Sequence, residues 1–270
     1  MMLANEERCR MLMDEHGIDV LVVSDPYNFC YMTGFVYGPM YWSTDPLYLR
    51  YDHVPVASNL ARATNGGFCV YPRDSQPFAI AHRYMSSRIM KNMSDVREFG
   101  SAYLKARMPE DWYKADPVAL LIDGLSEKGL AGAKIGFDTL DAPVCARLKE
   151  ALPKALWVEA QELMMRLREV KTPEEIRRIR RACGAAVSAF SAALEMLEQG
   201  MTEIEFSLSV KRMVEEDGAK EDSFMDLVCS EMFFGQEKGG HDPRSNPIRP
   251  GDRCLYDPVT YYKGYFSDFQ

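Results

Sequence analysis

The chain has 270 residues, 47% of them hydrophobic and 27% charged, with a formal net charge of −8. That composition supports two ordinary globular domains or one large one, and it excludes disorder as the dominant state. The negative balance argues against nucleic acid or an anionic membrane as the main partner, no stretch approaches the roughly 20 apolar residues of a membrane span, and seven dispersed cysteines without a C-x-x-C pair read as reduced thiols of a cytoplasmic protein.

Residues 4–16 carry helical spacing and end on Gly17, a suitable left-handed stop. The run IDVLVVSD (18–25) predicts a buried strand, and PYNFCYMTGF (26–35) a turn-rich connection. From 36 to 66 the sequence is irregular and aromatic. Strands at 67–72 and 77–83 precede a helix near 84–92. Asp116-Pro117 opens a helix over 116–130, and Asp141 opens another over 141–152. Strands at 133–138 and 155–160 alternate with them, and 161–171 is helical. Alternation of this kind predicts an α/β layer domain.

The pattern changes at Lys171-Thr172-Pro173-Glu174-Glu175. Thr172 and Glu175 form a capping box, with Pro173 at the first helical position, for a long helix to about Glu198. Thr202 and Glu205 repeat the device over 202–218. Two long helices followed by strands mark a second domain, so the predicted division is 1–164 and 165–270.

Residues 254–270, CLYDPVTYYKGYFSDFQ, set Asp257 and Asp268 in an aromatic, β-branched run that reads as a hairpin. A turn centred on Tyr262-Lys263 puts the two acids directly opposite each other, with Cβ atoms roughly 4.5–5.5 Å apart. Opposed like charges destabilise a sheet. A divalent cation, a shared proton or exposure to solvent would each relieve the pair, and a one-residue slip would part the acids onto opposite faces.

Four stretches carry a resemblance: YNFCYMTGF (27–35), LREVKTPEEIRRIRRAC (167–183), LEQGMTEIEF (197–206) and GGHDPRSNPIRPGDRCLYDPVTYYKGYFSD (239–268). In that order they resemble the pita-bread metallohydrolases, the family of Xaa-Pro aminopeptidases, prolidases and creatinases. The resemblance implies a creatinase-type, ribonuclease-H-like N-terminal domain with a mixed sheet and then the first half of an α+β pita-bread domain. It implies two divalent metal ions (Mn, Co or Zn) held by five side chains, of which Asp257 and Asp268 match the first two. A histidine and two glutamates lie further along in the family, so the chain is expected to be cut within its catalytic domain and inactive alone. His241 matches the substrate-pocket histidine, which donates a hydrogen bond to the carbonyl under attack; by context alone it reads as a surface loop residue. His53, in the aromatic 36–66 segment, is a candidate substrate contact in a neighbouring subunit of a homodimer, against the alternative of a packed loop.

The implied substrate is a short peptide with an amide bond next to proline. A creatinase-like C–N hydrolase of a small molecule and a non-catalytic binding module are the alternatives; creatinase itself dispenses with the metals. Methionine aminopeptidases are disfavoured because they lack the N-terminal domain. Pro258 and Glu231 depart from the family pattern. The basic run IRRIRRA (176–182) is expected to be the solvated face of its helix, and Cys229 and Cys254 buried small hydrophobes.

Overall fold

The structure is a computed structural model that describes residues 3–35, 67–100, 115–220, 227–235, 243–252 and 255–268. The described residues fall into two compact units, one reaching Thr172 and one beginning at Pro173.

In the first unit, helix α1 (Glu6–His16) starts where the Asn5 side chain accepts the Arg8 N–H, and it stops at Gly17 with φ 60°. Strand β1 (Val20–Val23) follows, buried at every position, as a run without polar alternation requires. β2 (Phe68–Pro72) and β3 (Phe78–His82) are also buried throughout. With β4 (Val96–Phe99), β5 (Lys134–Phe137) and β6 (Leu156–Glu159) they form one sheet in the order β4-β3-β2-β1-β5-β6. The β1–β2 and β2–β3 pairs are antiparallel and the other three are parallel. The mixed sheet is therefore the predicted one, with β4 an addition that its half-exposed, charged sequence did not announce. Helix α3 (Arg83–Ile89) follows β3. Helices α4 (Pro117–Glu127) and α5 (Ala142–Ala151) start at the side-chain caps of Asp116 and Asp141. They bury Leu121, Leu125 and Leu148 against Val20, Val22, Val70, Phe78 and Ile80.

Residues 26–35 differ from expectation. Pro26–Thr33 is a helix, α2. The Asp25 carboxylate accepts the Tyr27 and Asn28 N–H groups, Pro26 takes the first turn, and Gly34 at φ 67° ends it. Both ends are capped, so eight residues suffice.

α2 is pinned to the ends of β1 and β5 by Asp138. This buried carboxylate accepts the N–H groups of Ser24, Asp25 and Thr139 and the Asn28 amide, the last at 3.0 Å. Asn28 in turn accepts from Arg168 at 3.0 Å. Arg168 lies on α6 (Gln161–Glu169), and α6 also receives the Arg8 guanidinium on its Arg166 carbonyl at 2.9 Å. These bonds keep α6 in the first unit, which reaches Thr172.

The second unit layers α7 (Pro173–Glu195) and α8 (Glu203–Lys220) on an antiparallel sheet of β7 (Leu227–Gly235), β8 (Leu255–Tyr262) and β9 (Tyr265–Phe266), in the order β7-β8-β9. The inward face of α7 is Ala182, Ala185, Ala189 and Ala193, which lets it lie close to Phe206, Val210 and Val214 of α8 and to Tyr256 and Tyr262. Phe190 stacks on Tyr256 at 4.0 Å between ring centroids, and the Tyr256 hydroxyl donates to the Ala186 carbonyl. The Thr202–Glu205 capping box forms as predicted: the Glu205 N–H donates to Thr202 Oγ1 and the Thr202 N–H to Glu205 Oε2. No helix among the described residues is long and apolar enough to cross a membrane.

Burial pushes the Asp138 carboxyl above the usual carboxylate range, while hydrogen bonds from Ser24, Asn28 and Thr139 act to lower it. Asp138→Asn presents an NH₂ group to donors that now meet an oxygen. It is expected to destabilise the first unit by about 1–3 kcal/mol, the cost of leaving buried donors unsatisfied, read as a lower thermal midpoint with an unchanged far-ultraviolet spectrum.

Candidate metal centre

β8 presents two different faces. Tyr256, Pro258, Thr260 and Tyr262 are buried, and Tyr256 and Tyr262 join the core under α7 and α8. On the alternate positions Leu255, Asp257 and Val259 are half-buried and Tyr261, packed edge-on against Phe266, is buried, so Asp257 stands on the sheet face opposite Tyr256 and Tyr262. Its backbone is fixed by pairing with β7, opposite Phe233. β7 carries an irregularity between Cys229 and Glu231, and Glu231 comes opposite Val259.

The hairpin register differs from the predicted one. Tyr262 pairs with Tyr265 and Tyr261 with Phe266, so the turn is Lys263-Gly264, not Tyr262-Lys263. Both turn residues have positive φ, 45° and 93°, the signature of a two-residue turn that matches strand twist. Glycine supplies one of them without strain. Tyr262 stays in the core, with the Arg181 guanidinium 5.8 Å from its ring centroid. Asp257 is consequently not directly opposite Asp268. Continued along this register, Asp268 comes opposite Val259, which shares the face of Asp257. The correction of two residues turns a direct opposition into a diagonal one without exchanging faces. The described ladder closes just before this point. The Ser267 N–H donates to the Thr260 carbonyl at 2.8 Å, but the Thr260 N–H donates to Ser267 Oγ at 3.0 Å. A side chain has replaced the return backbone bond, and Asp268 beyond it is exposed.

The same geometry accounts for Pro258. The Thr260 N–H points to the β9 side, and amides two residues apart point the same way. The N–H that Pro258 lacks would also have pointed there, past the last described pair of β9, so no bond to β7 is lost.

The turn is held from α7. Arg178 is buried, and its Nη1 donates to the Lys263 carbonyl at 2.9 Å. The Tyr265 hydroxyl donates to Oε1 of Glu175, also buried, at 2.9 Å. Glu174 receives both Arg177, through two bonds of 2.8 Å, and Arg178 Nε. The basic run is thus not simply a solvated face. Arg177 and Arg180 are exposed, Arg178 and Arg181 turn inward, and Arg181 pairs with Asp217 at 2.7 Å.

Residues 243–248 are tied to the start of α8. The buried Glu203 carboxylate accepts the Arg244 N–H at 2.9 Å, its own N–H donates to the Asn246 carbonyl, and Ile248 N–H donates to Met201. His241 and His53 lie outside the described residues. Cys229 is buried and its thiol is pushed up to about 11 by that burial, the state of an inert core residue; Cys254 lies outside the described residues.

Carboxylate oxygens suit hard divalent cations. Among the described residues no three His, Cys, Asp or Glu side chains converge. Sequence reasoning had picked out Asp257 and Asp268 but missed the residues behind them. Glu175 was expected to complete a capping box and Arg178 to lie on a solvated face; their contacts with the hairpin could not be read, because helical spacing does not say which charged residue faces a hairpin.

Residues 7–170 match the creatinase/prolidase N-terminal domain, and residues 177–270 match metallopeptidase family M24. The chain belongs to the creatinase/prolidase family. It is 23% identical over 264 residues to a Xaa-Pro dipeptidase of Pyrococcus furiosus, covering 97% of this chain and 62% of the relative. It is 24% identical over 269 residues to an ectoine hydrolase of Halomonas elongata, covering 96% of this chain and 62% of the relative. An X-Pro aminopeptidase structure from Thermotoga maritima matches with a TM-score of 0.63 at 16% identity, over 98% of this chain and 63% of that one. That likeness carries the fold: a creatinase-type N-terminal domain followed by pita-bread α+β structure. The chain spans less than two thirds of the length of these relatives.

Arg177 and Arg178 hold the Glu174 carboxyl down at about 2, from an ordinary 4.5. A carboxyl lowered on folding stabilises the folded state above its unfolded pKa and loses that contribution as it protonates. The protection of the 255–268 amides, taken relative to their intrinsic exchange rates, is therefore expected to fall as pH drops from about 4.5 towards 2. Glu174→Gln should flatten that fall.

Proposed function

We propose that this chain supplies the first part of a dinuclear metal centre in a cytoplasmic hydrolase of short peptides, cleaving the amide bond next to proline. The observation that carries the reading is Asp257, set by the β7 pairing in the middle of β8 on the face opposite Tyr256 and Tyr262, with Asp268 following the turn. Asp257 and Asp268 would hold divalent ions, Mn²⁺, Co²⁺ or Zn²⁺. Such ions supply Lewis-acid polarisation of the carbonyl and acidify a water for attack. His241 orients the substrate by donating to its carbonyl, and Glu203 restrains the chain close behind it by accepting the Arg244 N–H. The protein assembles as a homodimer in which His53 contacts substrate in the neighbouring subunit. M24 membership and the Xaa-Pro dipeptidase relative support peptide as the substrate class.

The ectoine hydrolase relative, aligned over the same share of the chain, favours a second reading, C–N hydrolysis of a small molecule on the same scaffold. A substrate panel separates the two. A protein of the relatives' full length carrying this chain, loaded with Mn²⁺, is expected to cleave Xaa-Pro dipeptides, and Asp257→Ala should reduce cleavage to background. Turnover of small cyclic or guanidino amides with no action on dipeptides would establish the second reading. The isolated 270-residue chain, in which no three donor side chains converge among the described residues, is expected to bind Mn²⁺ weakly and to show no metal-dependent cleavage.

A further inference from the structure

The hairpin can close by itself. Lys263-Gly264 makes the turn, and Ser267 closes the ladder on Thr260. Yet α7 buries two charged side chains against it, and a buried Glu or Arg is costly unless it is partnered. Beside the Glu174 carboxylate, which Arg178 also meets, their partners include two groups of the hairpin: the Lys263 carbonyl for Arg178 and the Tyr265 hydroxyl for Glu175, each at 2.9 Å. The two acids of the hairpin are fixed by different means. Asp257 lies within the β7–β8 ladder, so the sheet sets its place. Asp268 lies beyond the last β8–β9 pair, so its place depends on whatever orients 263–267. Swinging the turn about β8 would move Asp268 and leave Asp257 where it is. A hard cation bound at 2.0–2.6 Å tolerates little such movement.

We propose that Glu175 and Arg178 are positioning residues that hold Asp268 where it shares a cation with Asp257. The inference rests on the metal reading of the hairpin. Ligands are commonly fixed by groups that do not touch the metal, and losing one costs about 10–100-fold in metal affinity.

The test is a Mn²⁺ titration of the ¹⁵N-labelled 270-residue chain, following paramagnetic broadening of the Asp257 and Asp268 amides. Both are expected to broaden together in the native chain, and neither in Asp257→Asn at the same Mn²⁺. In Tyr265→Phe and Arg178→Gln, broadening at both amides should require at least about tenfold more Mn²⁺, while the thermal midpoint holds. Arg178→Lys, which keeps the charge but not the planar fork, should recover part of the effect. If Arg178→Gln does not fold, Tyr265→Phe, the loss of one hydroxyl, carries the test. Titrations identical to the native chain would overturn the positioning role and leave the metal reading standing. Equal loss at both amides with a lowered midpoint would show that the contacts merely stabilise the unit. No broadening in the native chain would overturn the metal reading and this inference with it.

Discussion

The bond from the Arg178 guanidinium to the Lys263 carbonyl joins the first turns of α7 to the turn of the hairpin, and much of the second unit is organised around it. A carbonyl at a left-handed turn points away from the ladder and needs a donor. Arginine can reach it while keeping another nitrogen on Glu174. Glu174, Arg177 and Arg178 form one bonded group near the start of α7, and Glu175 with Tyr265 a second beside it. These contacts favour one register, since a shift of the hairpin would take the Lys263 carbonyl from Arg178 and the Tyr265 hydroxyl from Glu175 at once.

The first unit meets the same requirement differently. Its sheet is covered by apolar side chains along β1, β2 and β3, and the buried Asp138 carboxylate at the β1 and β5 ends accepts from Ser24, Asp25 and Asn28. Asp138 gathers a loop, a helix start and, through Asn28, Arg168 of α6. The quoted stretch YNFCYMTGF thus owes its asparagine to structure: Asn28 bridges an acid and an arginine inside the unit.

Membership in the creatinase/prolidase family and the two-unit fold place Asp257 and Asp268 on a scaffold that serves more than one hydrolytic chemistry. The scaffold accounts for a strand that can carry an acid on its outer face while its inner face packs as core. Pro258 is compatible with that strand because its missing donor falls on the side where the described ladder has ended.

Periodicity and caps were enough to read most elements from the residues. Asp116-Pro117, Asp141 and the Thr202–Glu205 box each announce a helix, because capping is a bond between residues two to four apart. α2 was equally announced by Asp25-Pro26 and Gly34, and its aromatic, cysteine-containing interior obscured it. The two acids of the hairpin and the family were also readable, since spacing and residue type survive without coordinates. The hairpin register was not. Choosing Lys263-Gly264 over Tyr262-Lys263 depends on Tyr262 having a place in the core under α7 and on Arg178 meeting the turn, contacts made across 85 residues of chain. For the same reason the inward turn of Arg178 and Arg181, the retention of α6 in the first unit and the pairing of β4 came only from tertiary packing: each depends on a partner distant in sequence, which local propensity does not contain.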